Sequence, residues 1–459
     1  MTTPKPPRGA GVLALIGNTP LVQLESFDTG PCTLFAKLEN HNPGGSIKDR
    51  IGLAMIEAAE ASGALRPGMT LVEATAGNTG LGLALVAARK RYPLLLVIPD
   101  KMSQEKIFHL RALGAEVHLT RSDVGKGHPD YYQDLADRLA RERGGFYVNQ
   151  FANPANPAAH EATTGPEIFR QMDQRLDAVV CGVGSGGTIT GLSRYFARVA
   201  PAVEMVLADP QGSVLADYVA TGKLGTAGSW LVEGIGEDFL PSIADLSRVK
   251  QAYTIPDEES LLMARALLRD EGILAGSSSG TLLAAALRYC RAQTTPKRVV
   301  TLVCDSGNKY LSKMFNDFWM RDQGFLQGPP SGDLRDLIAR RFDKGSVVAV
   351  APTDTLLIAH ARMKLYDVSQ VPVIDAGAIV GILDESDLLL AVARSPAAFR
   401  SPVRDTMAPR LTTVAPSASV ESLLPIFDRG MVAIVMEDDH FLGLVTRFDV
   451  LNYMRSRLK

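Results

Sequence analysis

A lysine that is to attack a carbonyl needs surroundings that disfavour its charge, and Lys48 has them. It lies in Asn40-His41-Asn42-Pro43-Gly44-Gly45-Ser46-Ile47-Lys48-Asp49-Arg50, between a strand-like run at 33–39 and a helix-like run at 48–60. Pro43 and the paired glycines make a turn, because glycine reaches backbone angles that other residues avoid. Ser46 with Asp49 three residues on reads as a capping box. Ile47, Ile51, Ala54, Met55 and Ala58 then recur at helical spacing. Lys48 therefore falls in a first helical turn, where free N–H groups and the helix dipole disfavour a cation. Such an amine is suited to be a nucleophile or to form an imine with an aldehyde. Taken alone, the stretch reads equally well as a surface lysine at a helix end.

Three further stretches follow strand-like runs. Glu73-Ala74-Thr75-Ala76-Gly77-Asn78-Thr79-Gly80 opens a helix with hydroxyls and small residues. Its N–H groups can hold a carboxylate, although a plain capped helix start would look the same. Gly182-Val183-Gly184-Ser185-Gly186-Gly187-Thr188 lets backbone N–H groups converge on a phosphate. Gly182, Gly184 and Gly187 also fit a GxGxxG dinucleotide fingerprint, with Asp209 a little beyond the usual place of its acidic partner. Cys304-Asp305-Ser306-Gly307-Asn308 places a hydroxyl, Ser306, after the last strand-like run, where it could equally cap the next helix.

These stretches need a scaffold of strands and helices, and the chain alternates the two from residue 33 to about 326. Strands are expected at 33–39, 70–75, 94–99, 115–120, 146–150, 176–181, 203–208 and 298–304. Helices are expected from Lys48, Asn78, Ser103, Tyr131, Pro157, Thr188, Glu258, Thr281 and Lys309. The strands are continuous apolar runs, as when helices cover both faces, so the fold class is α/β with one or two parallel sheets. Ligands then sit at the carboxyl ends of the strands.

Near Gln327 the character changes. Gly328-Pro329-Pro330-Ser331-Gly332 reads as a linker, and an internal repeat follows. Val350-Ala351-Pro352-Thr353 matches Val414-Ala415-Pro416-Ser417, and Gly381-Ile382-Leu383 with Asp387 matches Gly443-Leu444-Val445 with Asp449. Two copies of short strands and helices imply a tandem α+β module.

Composition excludes several classes. Across 459 residues, 48 basic side chains nearly balance 50 acidic ones, which gives no hint of nucleic acid or an anionic surface. No apolar run approaches the roughly 20 residues of a membrane span. The N-terminal residues 1–8 are proline-rich and lack a signal-peptide core. Cys32, Cys181, Cys290 and Cys304 form no CxxC pair, so neither disulfides nor a metal site is expected, as suits a cytoplasmic protein. Cys181 and Cys304 end apolar runs and read as core residues.

Taken together, NPGGSIKDR, TAGNTG, GSGGT and CDSG resemble the β-family, or fold type II, of pyridoxal-phosphate enzymes, in order and in spacing. The tail resembles a pair of CBS modules, and the combination resembles the cystathionine β-synthase family. The resemblance implies a catalytic domain over 1–326 built of two parallel or mixed sheet subdomains covered by helices. It further implies a linker at 327–335, and CBS modules at 336–396 and 397–459. By the same resemblance Lys48 holds pyridoxal 5′-phosphate as an imine, and Asn78 bonds its ring oxygen. Gly184, Ser185, Gly186, Gly187 and Thr188 hold its phosphate, and Ser306 faces the pyridine nitrogen. Thr75, Gly77, Asn78, Thr79 and Gln150 bind the substrate carboxylate. Thr446 and Asp449 match a TxxD pattern that holds a ribose, so S-adenosylmethionine or an adenine nucleotide is an implied ligand. The first repeat has Asp384-Glu385-Ser386-Asp387 and lacks the threonine.

The implied reaction joins L-serine or O-acetyl-L-serine to L-homocysteine, giving L-cystathionine, with hydrogen sulfide production as a side activity. A neutral hydroxyl at Ser306 makes the ring a weaker electron sink than a carboxylate would, which favours loss of a β-leaving group. Ala76 and Phe151 depart from the cystathionine β-synthase pattern, and the runs Phe151-Ala152-Asn153-Pro154-Ala155-Asn156-Pro157 and Thr163-Thr164-Gly165-Pro166-Glu167-Ile168 resemble cysteine synthase more closely, so sulfide is the alternative acceptor. Farther readings are a serine or threonine deaminase, a nucleotide-sensing protein with an inactive enzyme region and, last, an NAD dehydrogenase. A short N-terminal extension with no Cys near a His implies that haem is absent. A homodimer or homotetramer is expected, with no nucleic acid, membrane or metal partner.

Overall fold

The computed structural model describes residues 11–75, 77–100, 102, 104–125, 127–326 and 331–456. Ala76, Ser103, residues 1–8 and the first part of the linker lie outside them. The chain forms two compact units, one reaching Phe315 and one starting at Asn316. No helix among the described residues is long and apolar enough to cross a membrane.

The first unit is built on ten strands: β1 (Leu21–Gln23), β2 (Thr33–Leu38), β3 (Leu71–Ala74), β4 (Leu94–Pro99), β5 (Glu116–Thr120), β6 (Phe146–Tyr147), β7 (Ala178–Gly182), β8 (Glu204–Pro210), β9 (Val249–Ile255) and β10 (Arg298–Val303). They make a six-stranded sheet in the order β1-β2-β10-β7-β8-β9 and a four-stranded sheet in the order β5-β4-β3-β6. Every pairing is parallel except β1 with β2. The helices are α1 (Lys48–Ala61), α2 (Asn78–Lys90), α3 (Gln104–Ala112), α4 (Tyr132–Glu142), α5 (Ala155–Ala159), α6 (Gly165–Gln171), α7 (Gly187–Val199), α8 (Leu215–Thr221), α9 (Asp257–Glu271) and α10 (Ser277–Arg291). A π-helical turn, His160–Thr164, joins α5 to α6.

The expected alternation holds where strands are apolar on both faces: β3 and β4 are wholly buried. It misses β9, whose Val-Lys-Gln-Ala-Tyr-Thr-Ile lies at a sheet edge with a partly exposed face. It also misses β1, three residues long, and α8. The expected strand at 146–150 pairs only over Phe146–Tyr147. No helix begins at Lys309: Gly307–Lys309 is a single 3-10 turn, and the next helix is α11 (Asp317–Asp322) in the second unit. The capping box at α1 does not form either. Ser46 Oγ sits 3.3 Å from the N–H of Lys48, while the Asp49 carboxylate turns back to the N–H of Gly44.

A buried ion cluster fixes the start of α1. The Arg50 guanidinium forks onto Glu39 at 2.7 and 2.8 Å and onto Glu167 at 2.9 and 2.7 Å. Lys37 adds a bond to Glu167 at 2.9 Å, and Thr19 donates to Glu39 at 2.7 Å. Burial alone would raise both carboxyls, but Arg50 outweighs it: Glu39 stays below its ordinary range and Glu167 falls to about 2. The cluster ties β2, α1 and α6 into one block.

The second unit contains α12 (Leu356–Tyr366), β11 (Gln370–Asp375), β12 (Ala378–Asp384), α13 (Glu385–Arg394), β13 (Thr413–Val414), α14 (Leu424–Asp428), β14 (Ala433–Glu437), β15 (His440–Val445) and α15 (Arg447–Ser456). The repeat is visible in the pairing. Val350 bridges Val373 in parallel as Val414 pairs Val435, and each hairpin bulges at the following residue. The two cores interleave along the chain. Leu334, Leu337 and Ile338 pack into the core of the second copy, whereas Phe399, Val403 and Met407 pack into that of the first.

Arg50→Leu leaves two buried carboxylates with only Lys37 between them. It should cost about 3–5 kcal/mol, read from the guanidinium chloride midpoint. Arg50→Lys should recover only part of this, because an ammonium cannot fork onto two carboxylates.

Candidate active site

The sheet order explains how distant stretches meet. β2, β10 and β7 are neighbours, so the loops that follow them, at Lys48, Ser306 and Gly184, share one edge. Ser46 bridges Asp305, the N–H of Ile47 donates to Cys304 O at 2.9 Å, and Ser306 N–H donates to Gly45 O at 3.0 Å. From the other sheet, the loop after β3 brings Asn78, whose Nδ2 donates to Asp305 Oδ2 at 2.8 Å.

Lys48, Asn78, Gly184, Gly186 and Thr188 line a common cavity, together with Gly182, Gly234, Ile235, Ser278 and Cys304. It is narrow, about 30 Å³, room for one water. A ring-sized ligand needs the lining to open, and Lys48 is free to swing, since no hydrogen bond or ion pair holds its Nζ among the described residues. Burial lowers the Lys48 pKa, with Cys304 and Glu237 opposing. Burial also pushes the Cys304 thiol up to about 12, so it stays protonated beside the amine.

The glycine loop is a cradle that side chains would fill. A Cβ on Gly184 would stand 2.6 Å from Gly234 O, and one on Gly187 would stand 1.8 Å from Asn156 Oδ1. Gly186 has φ +86°, and no side chain caps the first turn of α7, so its N–H groups face an anion site. Asn156 Nδ2 braces the loop by bonding Ser185 Oγ at 2.9 Å and Gln150 O at 2.8 Å. Thr188 Oγ1 lies 3.2 Å from His160 Nε2, and burial drives that imidazole down to about 3, so it is neutral. These features fit a phosphate ester carried by an aldehyde.

Thr75, Gly77, Thr79 and Gln150 gather beside the cavity rather than on its lining. Thr79 Oγ1 donates to Gln150 Oε1 at 2.6 Å, and Gly77 N–H donates to Thr75 Oγ1 at 3.1 Å. Gly77, at φ +124°, lies under Lys106, whose Cδ would be 2.6 Å from a Cβ there. Ser306 is held against Gly45 and its Oγ accepts from Asn308 N–H at 3.3 Å. Asp209, the acid a dinucleotide reading needs, is buried at the end of β8, where it accepts from Ala216 N–H at 2.8 Å and so caps α8.

Several residues escaped the sequence reading. Cys304 was expected in the core because it ends an apolar run; it lines the cavity instead, half-buried. Ser278 opens α10 with no chemistry in its spacing to mark it. Asp305 and Lys309 flank Ser306 in sequence, and that adjacency was the signal for them. Lys309 Nζ donates to Asn78 Oδ1 at 2.9 Å.

In the second unit, Thr446 and Asp449 line a cavity of about 610 Å³ with Arg340, Asp367, Gln370 and Phe448. Thr446 donates its N–H and its hydroxyl to Asp449 Oδ2, at 2.7 and 2.6 Å. In the first copy, Asp384 and Asp387 instead close a capping box at α13. Burial raises the Asp449 carboxyl, with Thr446 and Arg340 opposing.

The chain is similar to known proteins over most of its length. Residues 12–305 match the family model described as pyridoxal-phosphate dependent enzyme, and residues 335–394 and 403–456 match the CBS domain. A cystathionine beta-synthase of Dictyostelium discoideum is 36% identical, over 98% of this chain and 93% of its own. The crystal structure of an O-acetylserine dependent cystathionine beta-synthase from Helicobacter pylori is 36% identical, with TM-score 0.62, over 66% of this chain and 97% of its own. A hydrogen sulfide-producing enzyme from Fusobacterium nucleatum is 36% identical, with TM-score 0.61, over 66% of this chain and 99% of its own.

The lowered Lys48 pKa has a measurable consequence. Capture of pyridoxal phosphate by stripped protein should rise with pH as the amine loses its proton. It should level off below the ordinary lysine value of 10.5, followed as growth of a visible band, and Lys48→Ala should show no band.

Proposed function

This chain belongs to the pyridoxal-phosphate dependent enzymes and carries a C-terminal pair of CBS domains, and from that premise we propose that it joins L-serine or O-acetyl-L-serine to L-homocysteine, giving L-cystathionine. The observation that carries the reading is the Lys48 amine, without a partner among the described residues, on one cavity with Asn78, Gly184, Gly186 and Thr188. The cystathionine beta-synthase relative, similar along almost the whole chain, supports the product. The O-acetylserine dependent neighbour supports the activated donor.

Bound pyridoxal phosphate supplies an electron sink for bond changes at the α-carbon of the donor amino acid. The chain does the rest. Gly184, Ser185, Gly186, Gly187 and Thr188 hold the phosphate through N–H groups and hydroxyls. Asn78 bonds the ring oxygen, and the neutral hydroxyl of Ser306 serves the ring nitrogen without adding charge. Thr75, Gly77, Asn78, Thr79 and Gln150 receive the donor carboxylate. Lys48, with its depressed pKa, removes the α-proton and returns a proton to the leaving group. The protonated Cys304 offers no thiolate to compete with the incoming sulfur.

A second reading is cysteine synthesis from O-acetylserine and sulfide, favoured by the likeness to a hydrogen sulfide-producing enzyme. In the tail, the Thr446–Asp449 pair suits two ribose hydroxyls, so an adenosyl compound, S-adenosylmethionine or an adenine nucleotide, is the proposed ligand. Exposed Leu389, Leu390, Phe448 and Leu451 on α13 and α15 support a homodimer or homotetramer. A cytoplasmic site of action fits four unpaired cysteines.

Steady-state assay of the yellow protein with serine and O-acetylserine, each against homocysteine and sulfide, tests the reaction. The greatest kcat/KM is expected with homocysteine; a larger value with sulfide by orders of magnitude would make it a cysteine synthase. Asp449→Ala should abolish adenosyl-ligand binding measured by calorimetry and leave catalysis without ligand unchanged.

A further inference from the structure

One buried charge at the site has no part in the mechanism above. Lys309 follows Ser306 in the turn Gly307–Lys309 and is only 6% exposed. An ammonium so enclosed must be satisfied by oxygens. Two do so: Gly45 O at 3.0 Å and Asn78 Oδ1 at 2.9 Å. Gly45 belongs to the turn that leads into Lys48, and its carbonyl also accepts Ser306 N–H. Asn78 is gripped from its other end by Asp305. Asp305 accepts in turn from Tyr310 O–H at 2.7 Å, and Lys106 Nζ reaches that hydroxyl at 3.0 Å while pairing with Glu233.

This arrangement gives the Asn78 amide one orientation. Flipped, it would put its NH₂ against an ammonium and its oxygen against a carboxylate. As it stands, the NH₂ end of Asn78 faces Asp305 Oδ2 and the Tyr310 hydroxyl, and the planarity of the amide fixes its direction. We propose that Lys309 is a positioning residue: its ammonium ties the Gly45 turn to Asn78 and holds the amide in the orientation whose NH₂ end serves the cofactor's ring oxygen. This rests on the reading of the cavity as a pyridoxal-phosphate site. Burial depresses Lys309 to about 8 with Lys106 adding to the effect, while Asp305 and Asp49 hold it up, so the side chain is charged at neutral pH. Charge strengthens both of its hydrogen bonds.

The test compares wild-type holoenzyme with Lys309→Met, Asn78→Ala and the double variant. Two quantities are read without substrate: the cofactor dissociation constant, and the balance between the yellow band and near-ultraviolet absorbance, which shifts as the ring oxygen takes up a proton. Lys309→Met is expected to weaken cofactor binding about tenfold or more and to move absorbance out of the yellow band. Asn78→Ala should do the same, and the double variant should be no worse than Asn78→Ala alone, because one acts through the other. A Lys309→Met spectrum like wild type, or losses that add in the double variant, would overturn the proposal. If Lys309→Met does not fold, Lys309→Gln, which keeps a donor without the charge, is read by the same criteria. A wild-type protein whose colour survives Lys48→Ala would refute the cofactor reading itself, and the role of Lys309 with it.

Discussion

The Arg50 guanidinium, clamped between two buried carboxylates, is the constraint on which the site depends. Charges inside a protein are costly unless each is paired and hydrogen-bonded, and here Arg50 and Lys37 face Glu39 and Glu167 with matched count and short contacts. Glu39 immediately follows β2, Arg50 lies in the first turn of the helix after the turn, and Glu167 comes from α6. The turn between them, with its glycines, is soft by composition. Pinned at both ends, it can present the Lys48 amine at one place only, two residues from the guanidinium. A lysine on a frayed helix end would find solvent; this one finds a narrow cavity and loses part of its preference for the proton.

A second charged network closes the other side of the cavity. Lys106, Glu233, Tyr310, Asp305, Asn78 and Lys309 run in a chain of short contacts from the Gly234 loop to the start of α2. The first network joins β2 and α6, which pack on the larger sheet, to α1, whose apolar face packs on the smaller one, and the second joins the two sheets through α2 and α3. The proposed site groups are therefore held through Lys48 and Ser306 on one side and through Asn78 and Thr79 on the other, and α2 also packs Leu81, Leu83 and Val86 into one core with Ile51 and Met55 of α1.

Much of this was legible in the sequence. Strands buried on both faces betray themselves as apolar runs, and the four polar stretches after β2, β3, β7 and β10 point to a site by their combination, since a helix cap or a turn could account for most of them singly. What failed did so for physical causes. Edge strand β9 carries exposed Lys250 and Gln251, which break its apolar run. The capping box at Ser46 satisfied a pattern, yet the tight turn at Gly44 offered Asp49 a nearer donor. Cys304 read as core because its apolar run did not reveal that the strand ends one residue earlier. Lys309 was invisible as a partner of Asn78, since the two are 231 positions apart and only sheet order brings them together.

The interleaved cores of the tail bear on how such a module can be inherited. Each copy borrows apolar residues from beyond its own boundary: Leu334 and Leu337 serve the second hairpin, and Val403 serves the first. A recombination event that cut between the copies would strip both of part of their interior and expose it to water. The pair is thus transmissible between genes only as a doublet, and a break point is tolerated only outside it.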